Sequence, residues 1–348
     1  MSNRFVAKAS AVMFTVVPLA GVLAAVPAFA QSQGKAQTAL FAKEAAGKAS
    51  AAPRTPDGKP DLSGYFTTST TVPFERPKDL GAKEFFTPEE AAAYAKRSLA
   101  AKAPTGPGTY ADVHYDMAQF GLEKDQNKVS TGIRTSIVTG PEGRVPPVLP
   151  AARQRQVAKQ AANRGHEFDG PENRGLAEQC IVWNGAPPMT AGGYNSNIQV
   201  SQGEGYVAIT SEMIHDTRII PTDGRPHVDP SIRLLLGDGR GHWEGDTLVV
   251  DTTNFSARNS FRGSDENLHV VERFSRPSAD TLKYQFTVED PTVWDKPWFG
   301  EMSIAKIDGP LFEYACTEGN YGMRNNLTGA RADEAKGIKP NGRAALGE

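Results

Sequence analysis

Neither sign of charge dominates this chain of 348 residues, in which 38 lysines and arginines stand against 40 aspartates and glutamates. A nucleic-acid binder needs a basic excess to neutralise phosphates, so nucleic acid is excluded as a partner. Cysteine is scarce: Cys180 and Cys316 are too few for a thiolate zinc cage and form no C-x-x-C. Apolar residues make up 39%, too few for a polytopic membrane protein but adequate for a packed core. The six histidines (His114, His166, His215, His227, His242 and His269) form no H-x-H or H-E-x-x-H, so no metal is expected. Residues 241–246 are glycine-rich but open a strand and lack the helix start of a phosphate cradle. No G-x-S-x-G elbow occurs, and no cofactor is implied.

The amino terminus has the layout of a secretory signal. Arg4 and Lys8 precede an apolar stretch over residues 9–26, and Ala28-Phe29-Ala30 supplies a small-x-small cleavage site. Pro18 and Gly21 argue against a retained anchor, so the mature chain is expected in the periplasm or outside the cell, at most peripheral to a membrane. An oxidising compartment favours a disulfide between Cys180 and Cys316 over two separate thiols. Closing a loop of 136 positions would stabilise the fold by roughly 4–5 kcal/mol.

Five segments are expected: a signal at 1–30, a flexible leader at 31–60, an irregular, partly helical extension at 61–175, a β-domain at 176–331 and a flexible tail at 332–348. Within the extension, Thr87-Pro88-Glu89-Glu90 combines a capping threonine, proline at the first helical position and a nearby acid, predicting a helix to Lys102. A second helix is predicted over residues 151–163, and an extended strand could begin at Tyr65-Phe66. After Cys180 the pattern changes. Leu282, Tyr284, Phe286 and Val288 alternate with Thr281, Lys283, Gln285 and Thr287, as in a half-buried antiparallel strand. Similar runs at 197–201, 205–212, 216–221, 247–253, 267–275, 299–307 and 311–316 bring the count to eight, with 180–184 and 232–236 as additions. Polar turns between them indicate a meander, and a long meander must curl or fold over to hide its edges. The fold class expected is mainly β, an antiparallel up-and-down barrel like those of lipocalins and calycins, with the disulfide tying the strand entering the sheet to the last one.

Several stretches are distinctive: SEMIHDTRII at 211–220, GHWEGDTLVVDTTNF at 241–255, ENLHVVERF at 266–274, FEYACTEGNYGM at 312–323 and RTPDGKPDLSG at 54–64. Together they resemble a large family of exported bacterial proteins, abundant in acidobacteria and sphingomonads. The likeness covers most of residues 54–331. It implies export and a β-rich fold, and brings no established activity to carry over.

An eight-to-ten-stranded barrel can hold one small ligand, so the polar residues facing its interior matter most. Glu272 falls in the stripe Leu268, Val270, Phe274; it is either a desolvated acid–base group or an inward carboxylate paired with an arginine, unless the other side of the strand faces the core. Glu212, His215 and Asp216 form the densest cluster of catalytic residue types, read as base, proton shuttle and orienting acid, and equally as a hydrogen-bonded hairpin. Arg218 or Tyr314 would bind the polar end of a substrate. Trp243, Trp294 and Trp298, with Glu301 and Glu313 on adjacent strands, are the candidates for a ring-shaped ligand, against core or rim roles. Two functions follow. One is an exported barrel binding an apolar or ring-containing molecule and acting on it as a cofactor-free lyase, hydratase or isomerase. The other is a non-catalytic periplasmic binding or envelope-associated protein. Substrate and oligomeric state are not legible.

Overall fold

The computed structural model describes residues 53–101, 128–140, 142–183, 185–192 and 195–339. The expected signal at 1–30, most of the expected leader and the end of the expected tail lie outside the described residues. Nine strands form one sheet: β1 (Gly64–Thr67), β2 (Asn197–Gly203), β3 (Tyr206–Ser211), β4 (Thr217–Pro221), β5 (Asp238–Glu244), β6 (Thr247–Thr253), β7 (His269–Ser278), β8 (Thr281–Glu289) and β9 (Trp298–Ile307). Among the described residues there are three α-helices, α1 (Pro88–Ala101), α2 (Pro150–Asn163) and α3 (Tyr321–Glu334). α1 begins where the sequence places it, with Thr87 Oγ1 accepting from the Glu90 amide while the Glu90 carboxylate accepts from the Thr87 amide.

The sheet order is β4-β3-β2-β1-β9-β8-β7-β6-β5 and every neighbouring pair is antiparallel. The alternation on β8 behaves as expected, with Leu282, Tyr284, Phe286 and Val288 all buried. These residues join Phe66, Ile198, Val200, Ile209, Ile220, Leu248, Val250, Phe274 and Ile304 in one continuous core on the inner face. The extension supplies β1, which sits between β2 and β9. β1 is short, and residues 137–139 take up the free flank of β9 beyond it, through Thr139 N to Phe299 O at 2.9 Å and Glu301 N to Ile137 O at 2.8 Å.

The sheet is mainly antiparallel β as expected, but hydrogen bonding does not close it into a barrel: β4 and β5 are unpaired edges. The reason is partly arithmetic. Nine strands related by eight antiparallel steps leave the two edges pointing the same way, so closure would require a parallel pair inside an antiparallel meander. The edges still approach. A Cβ placed on Gly241 of β5 would stand 3.0 Å from Ile220 of β4 and 2.9 Å from Thr222, so glycine is what permits the contact. Arg218 on β4 also reaches Glu272 on β7, six strands away along the ladder, which requires the sheet to curl over on itself.

Other expectations need correction. Residues 311–316 and the described part of 180–184, residues 180–183, form no strand, and 232–236 contribute a single bridge at Leu234. Cys180 and Cys316 are joined, so the disulfide is present, but it links two loops and not two strands. β5, read from the sequence as turn material opening a strand, is a full edge strand. α3 continues past residue 331 to Glu334, within the expected tail.

Candidate functional site

The polar centre of the curled sheet is built by three strands. β4 has the burial pattern of one face in and one out, which turns Arg218 and Ile220 inward while Ile219 stays 69% exposed. Glu272 is 0% exposed and lies in register with Val250 on one side and Phe286 on the other. Arg218 donates from Nη1 at 2.6 Å and from Nη2 at 3.0 Å to the two carboxylate oxygens of Glu272. The Tyr284 hydroxyl donates to the same carboxylate at 2.9 Å and accepts from the Met189 amide at 2.8 Å. Burial opposes the Arg218 charge, but the Glu272 carboxylate outweighs it and holds the guanidinium more firmly protonated than usual. Burial also pushes the Tyr284 phenol well above its ordinary range. Of the two readings of Glu272, the geometry matches the carboxylate paired with an arginine.

A cavity of about 580 Å3 opens where β4 and β5 begin, at the splayed end of the seam. Its walls include Val182, Ile219, Ile220, Leu234, Leu235 and Leu236, with Asp216, Arg218, Asp238 and Thr252 as polar members. Arg218 Nε and Thr252 Oγ1 are buried and have no hydrogen-bond partner among the described residues. Such orphaned groups cost free energy in a closed core and mark places where a ligand or water would be held. Thr252 lies opposite Gly239, where a Cβ would meet its hydroxyl at 3.5 Å, so no β5 side chain caps that hydroxyl at this position.

The turn from β3 to β4 places Asp216 in this wall. Ile214 and His215 both take left-handed backbone, at φ 61° and 50°, which costs of order 1–3 kcal/mol at each non-glycine position. Bonds from Ser211 N to Asp216 O at 2.8 Å and from Glu212 N to Asn197 O at 2.9 Å pin the turn. The Asp216 carboxyl accepts from the Trp183 amide at 3.3 Å, and burial raises its pKa against that bond and one from Gly185.

The sequence-selected residues separate in space. Asp216 and Arg218 line the seam cavity, and Glu272 lies behind Arg218. Glu212 is buried beside Asn195, whose amide donates to it at 3.2 Å. His215 is exposed, with Nδ1 3.3 Å from the Tyr314 carbonyl, so Tyr314 meets the cluster through its backbone. Trp243 lies at the other end of the curled sheet, in a groove of about 560 Å3 with Lys59 and Tyr206. Trp294 and Trp298 are core residues, their rings 5.8 Å apart edge-to-face. Glu301 is tied to Arg134 at 2.9 Å and to Gln285 at 2.8 Å, while Glu313 is on no strand, so the adjacent-strand carboxylate pair does not form.

Thr252, Gly239 and the Leu234–Leu236 wall escape the sequence reading. Thr252 carried a usable signal, since it continues the inward stripe of Leu248 and Val250 as Glu272 does on its own strand. A second missed cluster lies on the outer face. Asp238, His227, Asp251, His269 and Glu289 form a chain of contacts at 2.9, 3.1, 2.9 and 3.4 Å across β5 to β8. Hydrogen bonds donated to the Asp251 and Glu289 carboxylates raise the His269 pKa to about 9. These groups run in a line, and among the described residues no cluster of histidine, cysteine or carboxylates is placed to hold a metal ion. No helix among them is long and apolar enough to cross a membrane. Neither protein-family models, curated proteins nor solved structures yield a match to the chain.

Proposed function

We propose that this protein is an exported small-molecule binder, a curled barrel with one open seam that takes an apolar ligand between β4 and β5. The observation that carries the reading is the cavity of about 580 Å3, lined by seven aliphatic residues and by Arg218 and Thr252, each with one buried polar atom that has no partner among the described residues. Its size falls in the range of ligand sites, and a few polar groups in an apolar wall are the usual equipment for orienting a small molecule. Export is supported by the disulfide, since such bonds persist in oxidising compartments.

The test is uptake of the uncharged fluorophore N-phenyl-1-naphthylamine. Saturable enhancement is expected with the parent protein and its loss with Gly239→Leu. That substitution starts from an unstrained Cβ position and sends the remaining side-chain atoms into the cavity. Equal uptake by parent and variant would refute the site.

A second reading, cofactor-free proton chemistry, draws on Asp216, a cavity-lining carboxyl with a raised pKa. It requires that the protein speed deuterium exchange into the α-carbon of a bound ketone and that Asp216→Asn lose the exchange while keeping dye uptake. Absence of exchange in the parent returns the protein to the binding class.

A further inference from the structure

Resting on the cavity reading above, we infer that the seam site selects an uncharged ligand bearing a hydrogen-bond acceptor, such as a ketone, ester or amide, seated on Arg218 Nε and Thr252 Oγ1. Arginine in a ligand cavity ordinarily suggests a carboxylate or phosphate partner. Here that role is already filled. Both terminal nitrogens of Arg218 are committed to Glu272, which is fully buried and held in place by Tyr284. The pair is neutral as a unit, so what is left uncommitted is one buried N–H and little net positive charge. Asp216 lines the same cavity, and an anionic ligand would meet it; Asp238, also in the wall, is already paired with Arg240 at 2.7 Å and with His227 at 2.9 Å. The guanidinium of Arg233, the other cation in the wall, donates from Nη1 to the Glu266 carbonyl.

What remains is a donor at Arg218 and a hydroxyl at Thr252, both more than nine-tenths buried and both without partners among the described residues. A carbonyl oxygen satisfies both, because it accepts two hydrogen bonds without adding charge. The aliphatic walls from Ile220 and Leu234–Leu236 then take the rest of the molecule. Water alone could satisfy the polar atoms but would leave the aliphatic walls wet.

The experiment displaces N-phenyl-1-naphthylamine from the full chain with three probes of equal chain length, 2-octanone, octanoate and octane, at pH 8. The expected result is that 2-octanone displaces the dye at least tenfold more effectively than octanoate. Thr252→Val, which swaps an unpartnered hydroxyl for a methyl group, should weaken 2-octanone about five- to tenfold and leave octane unchanged, as loss of one neutral hydrogen bond requires. Octanoate matching the ketone, or Thr252→Val weakening ketone and alkane alike, would overturn the inference while leaving the cavity intact. Failure of the dye to bind, or dye uptake indifferent to Gly239→Leu, would overturn the cavity reading and this inference with it.

Discussion

Replacing Glu272 by glutamine tests whether the curled sheet encloses a dry interior. The carboxylate accepts from both terminal nitrogens of Arg218 and from Tyr284, and neither charged side chain has appreciable access to water. Glutamine offers one acceptor and turns an amide N–H2 toward a cation that stays buried and uncompensated. Breaking a buried ion pair from one side costs about 3–5 kcal/mol. For a unit of this size that corresponds to a melting point lower by about 6–20 °C. Replacing both partners, as in Arg218→Leu with Glu272→Leu, removes the charge and its desolvation together, and the double variant should recover most of the loss. Urea unfolding at pH 7, followed by tryptophan fluorescence, reads both. A Glu272→Gln variant within about 1 kcal/mol of the parent, or a double variant no better than the single one, would show that the pair is not desolvated and that β4 does not fold over onto β7.

The seam makes a paired prediction: Gly241→Ala should cost about 1–3 kcal/mol because its Cβ meets Ile220 and Thr222 at 2.9–3.0 Å, whereas Gly239→Ala should stay within about 0.5 kcal/mol; denaturant midpoints compare them. Reducing the Cys180–Cys316 bond, or replacing both cysteines by alanine, should lower stability by up to about 5 kcal/mol, as expected for a loop of 136 residues, measured by thermal melts with and without reductant. His269 should titrate by NMR with a midpoint of about 9. Because that value is raised, its contribution is complete below its unfolded value near 6.5 and is lost as pH rises through about 9, so stability should fall over that interval; His269→Gln should flatten it. Asp251 acts in the opposite sense. Its contacts with His269 and His227 hold its carboxyl below the usual range despite burial, and its contribution should disappear as pH falls through the lowered value.

Helix α1, the β6 boundaries and the β8 alternation were legible because each is decided locally, by a cap, a turn or a period of two. β5 was not, because Gly239, Gly241 and the charged Asp238, Arg240 and Glu244 have poor strand propensity. Its place is earned by pairing with β6 and by the close approach of β4, neither of which a sequence window contains. The run at 311–316 failed for the converse reason: its composition suits a strand, yet no sheet edge takes it. Glu272 and Arg218 were both singled out, and their partnership was left open, because they are 54 positions apart and meet only when the sheet curls.

By itself the sequence determined that the chain is rich in antiparallel strands, that two cysteines were available to pair and that Glu272 stands in an apolar stripe, since side-chain alternation and residue chemistry are properties of neighbours along the chain. Only the tertiary structure decided that nine strands leave parallel-running edges and that an aliphatic cavity opens between them. It also decided which atoms there go unpaired, because the count of strands, the register of pairing and the commitment of each donor depend on residues brought together from opposite ends of the fold.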